Sequence, residues 1–203
     1  MPELSHTEHL DYTGSKLGMW LFLFTEILLF GGLFLVYSVN RWVFAQEFHT
    51  AAEELSTTMG AVNTMILLTS SLTMALAIAM LRRGRTSLSA LFQAVTMLFG
   101  VAFLVNKYLE WSGHILQGTY PGSADLLARG HGTTLFYGLY YVMTGLHALH
   151  VAAGLVLIGI MLLLTLRGTV SQNNFRKLEN TGLYWHLVDV IWIYLFPLFY
   201  LIT

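Results

Sequence analysis

Apolar and polar positions fall in long blocks along this chain rather than in short alternation. Five blocks are almost continuously apolar, at roughly residues 17–39, 60–81, 88–109, 133–166 and 183–202. A helix needs about 20 mostly apolar residues to cross the hydrocarbon core of a bilayer. Each block therefore predicts a transmembrane helix, and the fold class is an all-α, polytopic membrane bundle forming a single domain over residues 1–203. The fourth block is longer than a bilayer requires, which predicts a tilted or projecting helix. The polar gaps are too short to hold a soluble domain.

Charge adds an orientation. With five spans, Lys16, Arg82, Arg83, Arg85, Arg167, Arg176 and Lys177 share one side of the membrane. The opposite side holds Arg41 and Arg129 beside the acidic residues Glu47, Glu53, Glu54 and Asp125. Lys and Arg mark the cytoplasmic side, so the N-terminus is expected in the cytoplasm and the C-terminus outside. Arg82, Arg83, Arg85, Arg167, Arg176 and Lys177 are candidates for meeting anionic lipid head groups, and topology signalling alone explains each of them nearly as well. The N-terminal stretch MPELSHTEHLDYTGSK is polar and lacks a basic region before an apolar core. It does not read as a cleaved signal peptide, and the first span is expected to act as its own insertion signal.

Composition narrows the chemistry. Of 203 residues, 56% are hydrophobic and 10% charged, against about 25% charged in soluble domains. Mean hydropathy is +0.64. The net charge of −1 gives no field suited to nucleic acid. The chain has no cysteine, which excludes disulfides, thiolate metal sites and covalent haem attachment.

The candidate chemistry lies in polar residues inside the spans. Glu26 sits ten residues after Lys16, which places it about 15 Å deep by the helical rise. An ionised acid there costs about 2.5–3.5 kcal/mol on insertion scales. Two readings fit it: part of a proton or ion path, or a neutral acid joining two helices. Asn63, Thr64, Thr69, Ser70, Ser71 and Thr73 form a polar vein in the second span, read as hydrogen-bonding glue between helices. Lys107 and Glu110, at i and i+3 beside Trp111, read as an intrahelical ion pair with the lysine snorkelling to the interface. His147 and His150 share a helix face, and His186 and Asp189 repeat that spacing behind the aromatic pair Tyr184 and Trp185. Such rings suit a membrane boundary. His186 and Asp189 are expected about 4–9 Å inside the cytoplasmic end of the fifth span. There they would anchor it, each with a polar partner.

Glu26, His147, His150, His186 and Asp189 together offer a possible metal or haem ligand set. The spacing argues against it. Di-metal carboxylate bundles use Glu-x-x-His repeats, and the chain has none. A secondary transporter with Glu26 as the coupling acid is a further alternative, but internal repeats and broken helices are missing from the pattern.

Read together, five blocks become specific: WLFLFTEILLFGGLF (20–34), NTMILLTSSLT (63–73), KYLEW (107–111), FYGLYYVMTGLHALHVAAG (136–154) and YWHLVDVIW (184–192). In this order they resemble subunit III of the haem–copper respiratory oxidases, from about Gly14 to Thr203. The chain is similar to the short, five-helix bacterial form and lacks the first two helices of the seven-helix form. The resemblance carries Glu26 onto the family's buried carboxyl, and His147, His150, Trp185, His186 and Asp189 onto its signature positions.

The resemblance implies a multi-pass protein of the bacterial inner membrane. It implies a chain that is itself non-catalytic and binds no haem, copper or other metal. Haem and copper belong to partner subunits. Subunit I is the main partner, with subunit II and small subunits beyond it, and structural phospholipids are expected. The implied role is to stabilise subunit I and support proton uptake in a cytochrome c oxidase. A quinol oxidase or a nitric oxide reductase system is the alternative host.

Overall fold

In hydrocarbon a backbone has no water to bond its N–H and C=O groups, so each apolar block must satisfy them within a helix. The computed structural model describes residues 3–172 and 174–202, with side chains for Gly14 and from Lys16 onward. Seven helices follow one another: α1 (Glu3–Val43), α2 (Ala45–Glu53), α3 (Thr57–Arg82), α4 (Thr86–Leu116), α5 (Ala124–Ala128), α6 (His131–Leu166) and α7 (Arg176–Tyr200). No strand occurs among the described residues. Five helices are long and apolar enough to cross a membrane: α3, α4, α6, α7 and the Lys16–Val43 part of α1.

The helices outrun the apolar blocks. α7 begins at Arg176 rather than 183, and α4 continues to Leu116 rather than 109. Hydropathy marks where a helix meets hydrocarbon, whereas hydrogen bonding continues through the polar turns beyond. Two short helices appear where only loops were expected. α2 buries Phe48, Ala51 and Ala52, and α5 is capped by Ser123, whose side chain accepts from the Leu126 N–H at 3.1 Å.

α3 and α6 stop in the same way. Gly84 (φ 73°) and Gly168 (φ 74°) take the left-handed conformation that glycine reaches without strain. Gly84 N–H then bonds Leu81 O and Arg85 N–H bonds Met80 O; Gly168 and Thr169 do the same to Thr165 and Leu164. These paired bonds satisfy carbonyls that a helix end leaves open.

α3, α4, α6 and α7 form a ring in which α3 packs on α4 and α7, and α6 packs on α4 and α7. α1 lies outside the ring against α6, α7 and the acidic-end helix α2. The ring buries its members unevenly. In the most apolar stretch of α7 half the residues are buried, against 11% in α1, so α7 is the central helix and α1 the peripheral one.

Close approach depends on small residues, as expected between membrane helices. The Trp185 ring of α7 lies where a Cβ on Gly154 or Gly100 would come within 2.7 and 2.8 Å of it. Gly31, Gly32 and Gly138 have open space beside them. Tyr184 and Trp185 are buried among the helices at 4% and 0% exposure. The glycine gaps on α4 and α6 provide the space that draws Trp185 inward.

The end of α7 is held from other helices. Pro197 removes one helical N–H inside α7. Beyond it, Tyr37 of α1 donates its hydroxyl to Leu198 O, and Thr57 of α3 donates to Tyr200 O at 3.2 Å.

Candidate functional site: buried polar contacts between helices

Lys107 and Glu110 do not snorkel. They are 2% and 7% exposed, inside the bundle. Their positions on α4 turn them toward α6 and α7, where Tyr140 and Tyr200 supply hydroxyls. Lys107 Nζ donates to Glu110 Oε2 at 3.0 Å, to Tyr140 OH at 3.0 Å and to Tyr200 OH at 2.9 Å. Tyr140 and Tyr200 in turn donate to Glu110 Oε1 at 2.7 and 2.5 Å. An ammonium has three donors, and all three are used. The pair needs no water because both tyrosines complete it. The ammonium also lies 4.8 Å from the Tyr140 ring centre and 5.5 Å from that of Trp192, within cation–π range.

The five residues weighed as one ligand set fall in separate places. His150 turns toward α1, and its Nε2 lies 2.8 Å from Glu26 Oε2. Its Nδ1 lies 2.7 Å from Leu146 O, a carbonyl that can only accept, so Nδ1 carries a proton. The Glu26 contact then needs one shared proton, on either the acid or the ring, and joins α1 to α6 in both cases. His147 turns the other way, with its ring 5.4 Å from Phe103 and 5.2 Å from Trp192. Neither nitrogen of His147 has a hydrogen-bond partner among the described residues. Among those residues no three His, Cys, Asp or Glu side chains converge as metal ligands would.

His186 and Asp189 face α3. His186 Nδ1 lies 2.6 Å from Ser71 Oγ, a polar partner of the kind expected. Asp189 departs from expectation: it is 2% exposed, yet neither carboxyl oxygen has a hydrogen-bond partner among the described residues. Glu179 meets Arg82 at the basic end, and His186 and Asp189 lie about 10 and 15 Å farther along α7 by the helical rise.

The rest of the vein ties helices. Trp185 Nε1 donates to Ser70 Oγ at 3.0 Å, and Trp192 Nε1 donates to Thr64 Oγ1 at 3.1 Å. Asn106 Nδ2 donates to Asn63 Oδ1 at 3.0 Å, linking α4 to α3. Of the basic-end cations, Arg82 pairs with Glu179 and lies 4.9 Å over the Phe175 ring. Arg83, Arg85, Arg167, Arg176 and Lys177 are exposed. Sequence reasoning missed Tyr140 and Tyr200, and also Glu54. The Glu54 carboxylate accepts from Arg129 at 2.9 Å and from Tyr137 at 2.7 Å at the acidic end.

The family model described as "Cytochrome c oxidase subunit III" matches residues 4–203 of this sequence. The chain belongs to the cytochrome c oxidase subunit III family. As a subunit III of haem–copper oxidases it is similar to relatives of more than one kind. It is 31% identical to cytochrome c oxidase subunit 3 of Alkalihalophilus pseudofirmus, over 97% of this chain and 92% of that one. It is 33% identical to quinol oxidase subunit 3 of Bacillus spizizenii, over 91% and 85%. A heme-copper oxidase subunit I+III of Aeropyrum pernix is 27% identical over 97% of this chain, which matches 24% of that longer protein. A subunit III of this family is part of a membrane oxidase complex, and its five span-capable helices make it a multi-pass membrane protein.

Proposed function

We propose that this chain is the non-catalytic subunit III of a proton-pumping terminal oxidase in a bacterial inner membrane. Electrons pass from cytochrome c to oxygen through haem and copper in its partner subunits. The chain packs on subunit I, steadies it, holds structural phospholipids and supports proton uptake. Its N-terminus is cytoplasmic, and subunit II and small subunits complete the assembly.

The closed cluster of Lys107, Glu110, Tyr140 and Tyr200 carries this reading. The donors of its ammonium and both hydroxyls are taken up by one another. A buried ionic group arranged this way joins helices and offers no open position to a substrate. The relative that unites subunits I and III in one chain supports subunit I as the direct partner. The exposed Arg83, Arg85, Arg167, Arg176 and Lys177 suit anionic head groups, at about 1 kcal/mol for each cation near the surface.

A quinol donor is the second reading, favoured by the likeness to the Bacillus spizizenii quinol oxidase subunit 3. Purifying the complex through a tag on this chain tests both. Identifying the copurified subunits, measuring copper in subunit II and comparing oxidation of reduced cytochrome c with that of quinol decides the donor. Deleting the chain is expected to leave the haem spectrum unchanged while turnover decays. A lost haem spectrum overturns the non-catalytic role.

A further inference from the structure

Asp189 is the polar residue of α7 that the helix-joining role leaves unexplained. Its neighbours one turn away on either side, Trp185 and Trp192, both bond α3, through Ser70 and Thr64. Asp189 thus sits on the face of α7 packed against α3, 2% exposed, with both oxygens lacking a hydrogen-bond partner among the described residues. A bare carboxylate in such a place costs several kcal/mol. Ser71 of α3 is engaged with His186 Nδ1 at 2.6 Å, so its hydroxyl stands against the turn of α7 that carries both His186 and Asp189, three residues apart.

His186 is only partly buried. It lines a groove of about 410 Å³ between α3 and α7, together with Ala75, Ile78, Arg82, Arg83 and Glu179. The charged members of that lining stand at the basic end, and Arg82 and Arg83 are exposed. The groove therefore runs from the surface down to the imidazole, and the imidazole touches the hydroxyl beside the acid.

We infer that Asp189 is a proton-binding site, loaded and unloaded from the basic end through His186 and Ser71. A proton arriving from water in the groove binds His186 Nε2. The Nδ1 proton passes to Ser71 Oγ as the Ser71 hydroxyl turns and gives its own proton to an Asp189 oxygen. The N–H at Nδ1, the original O–H of Ser71 and an O–H of the delivering hydronium break; an N–H at Nε2, a new O–H on Ser71 and an O–H on Asp189 form, and Asp189 changes from carboxylate to carboxylic acid. The charged and titratable groups around it are few. His186 lies on its own helix. α3 brings hydroxyls near it and Arg82 and Arg83 at the basic end. α6 brings His147 and His150, and α1 brings Glu26, which is bound to His150. This goes beyond the proposed function and holds for either electron donor.

The test is infrared spectroscopy on the whole oxidase complex, using the carbonyl stretch of a protonated carboxyl. Asp189→Asn is expected to remove one such band at neutral pH. In D2O that band shifts in the wild type. Ser71→Ala and His186→Phe slow the shift by about a hundredfold, the low end of what a positioned proton-transfer group contributes. No lost band in Asp189→Asn, or an exchange rate unchanged in both relay variants, overturns the inference. Where Asp189→Asn does not assemble, isotope-labelled aspartate in the Ser71→Ala complex decides. A labelled band with slowed exchange supports the site, and none with slowed exchange overturns it.

Discussion

The Tyr200 hydroxyl at the end of α7 donates to Glu110 Oε1 on α4 at 2.5 Å, and the same hydroxyl accepts from Lys107 at 2.9 Å. This one group bridges both charges of a buried pair. It makes the far end of α7 the closing piece of the bundle's polar centre.

Removing one charge of that pair leaves the other buried and uncompensated, which costs about 3–5 kcal/mol. Lys107→Met and Glu110→Gln should each release this subunit from the complex at lower temperature or detergent concentration. The double variant should be milder than the sum of the singles. A thermal dissociation series on the purified complex measures the coupling, and strict additivity would show that the pair does not interact.

Trp185 needs the gaps left by Gly154 and Gly100, where a Cβ would meet other side chains at 2.7 Å. Gly154→Ala and Gly100→Ala should each destabilise the bundle by about 1–3 kcal/mol through overpacking. Gly138→Ala, with nothing within 4 Å of the added carbon, should be neutral and serves as the control. Tryptophan fluorescence during unfolding in detergent reports both.

Glu26 and His150 hold α1 to α6 through one shared proton. Glu26→Gln keeps a hydrogen bond to the ring, whereas Glu26→Ala removes it. A double-mutant cycle with His150→Phe should give a coupling of about 0.6–1.7 kcal/mol, the range found for polar contacts within membranes. Cross-linking between cysteines introduced on α1 and α6 should rise in the alanine variant, as α1 loosens, and stay unchanged in the glutamine variant.

Tyr37 and Thr57 cap carbonyls at the end of α7. Tyr37→Phe should weaken that end by about 1 kcal/mol, the net value of a typical hydrogen bond. Faster amide exchange confined to residues near Tyr200 is the expected readout. Protection that stays unchanged there would mean another group supports the helix end.

The spans were legible because hydrocarbon demands long apolar helices, and that demand is written in composition. The contacts were not, because they depend on helix rotation and relative depth. KYLEW reads as interfacial because Trp111 and polar residues follow it, yet Lys107 meets Tyr140 and Tyr200, 33 and 93 positions away. His147 and His150 share a face in projection, but His150 meets Glu26 on α1 while His147 packs inside the ring against Phe103 and Trp192. Asp189 was expected to have a polar partner, yet its oxygens have no hydrogen-bond partner among the described residues, with Ser71 engaged by His186. The AQEFHTAAE stretch of α2 looked like an acidic loop because it is too short to cross a membrane.

Of the five span-capable helices, α7 has the weakest hydropathy, 1.4 against 2.0 to 2.5 for the others. It is also the most enclosed, and its polar side chains find Ser70, Ser71, Thr64, Lys107 and Glu110 on helices that are synthesised earlier. During biogenesis those earlier helices therefore enter the membrane with unmet hydrogen-bonding groups. The last helix is drawn in by those groups as much as by lipid. Its residence in the bilayer is a property of the assembled bundle rather than of its own sequence.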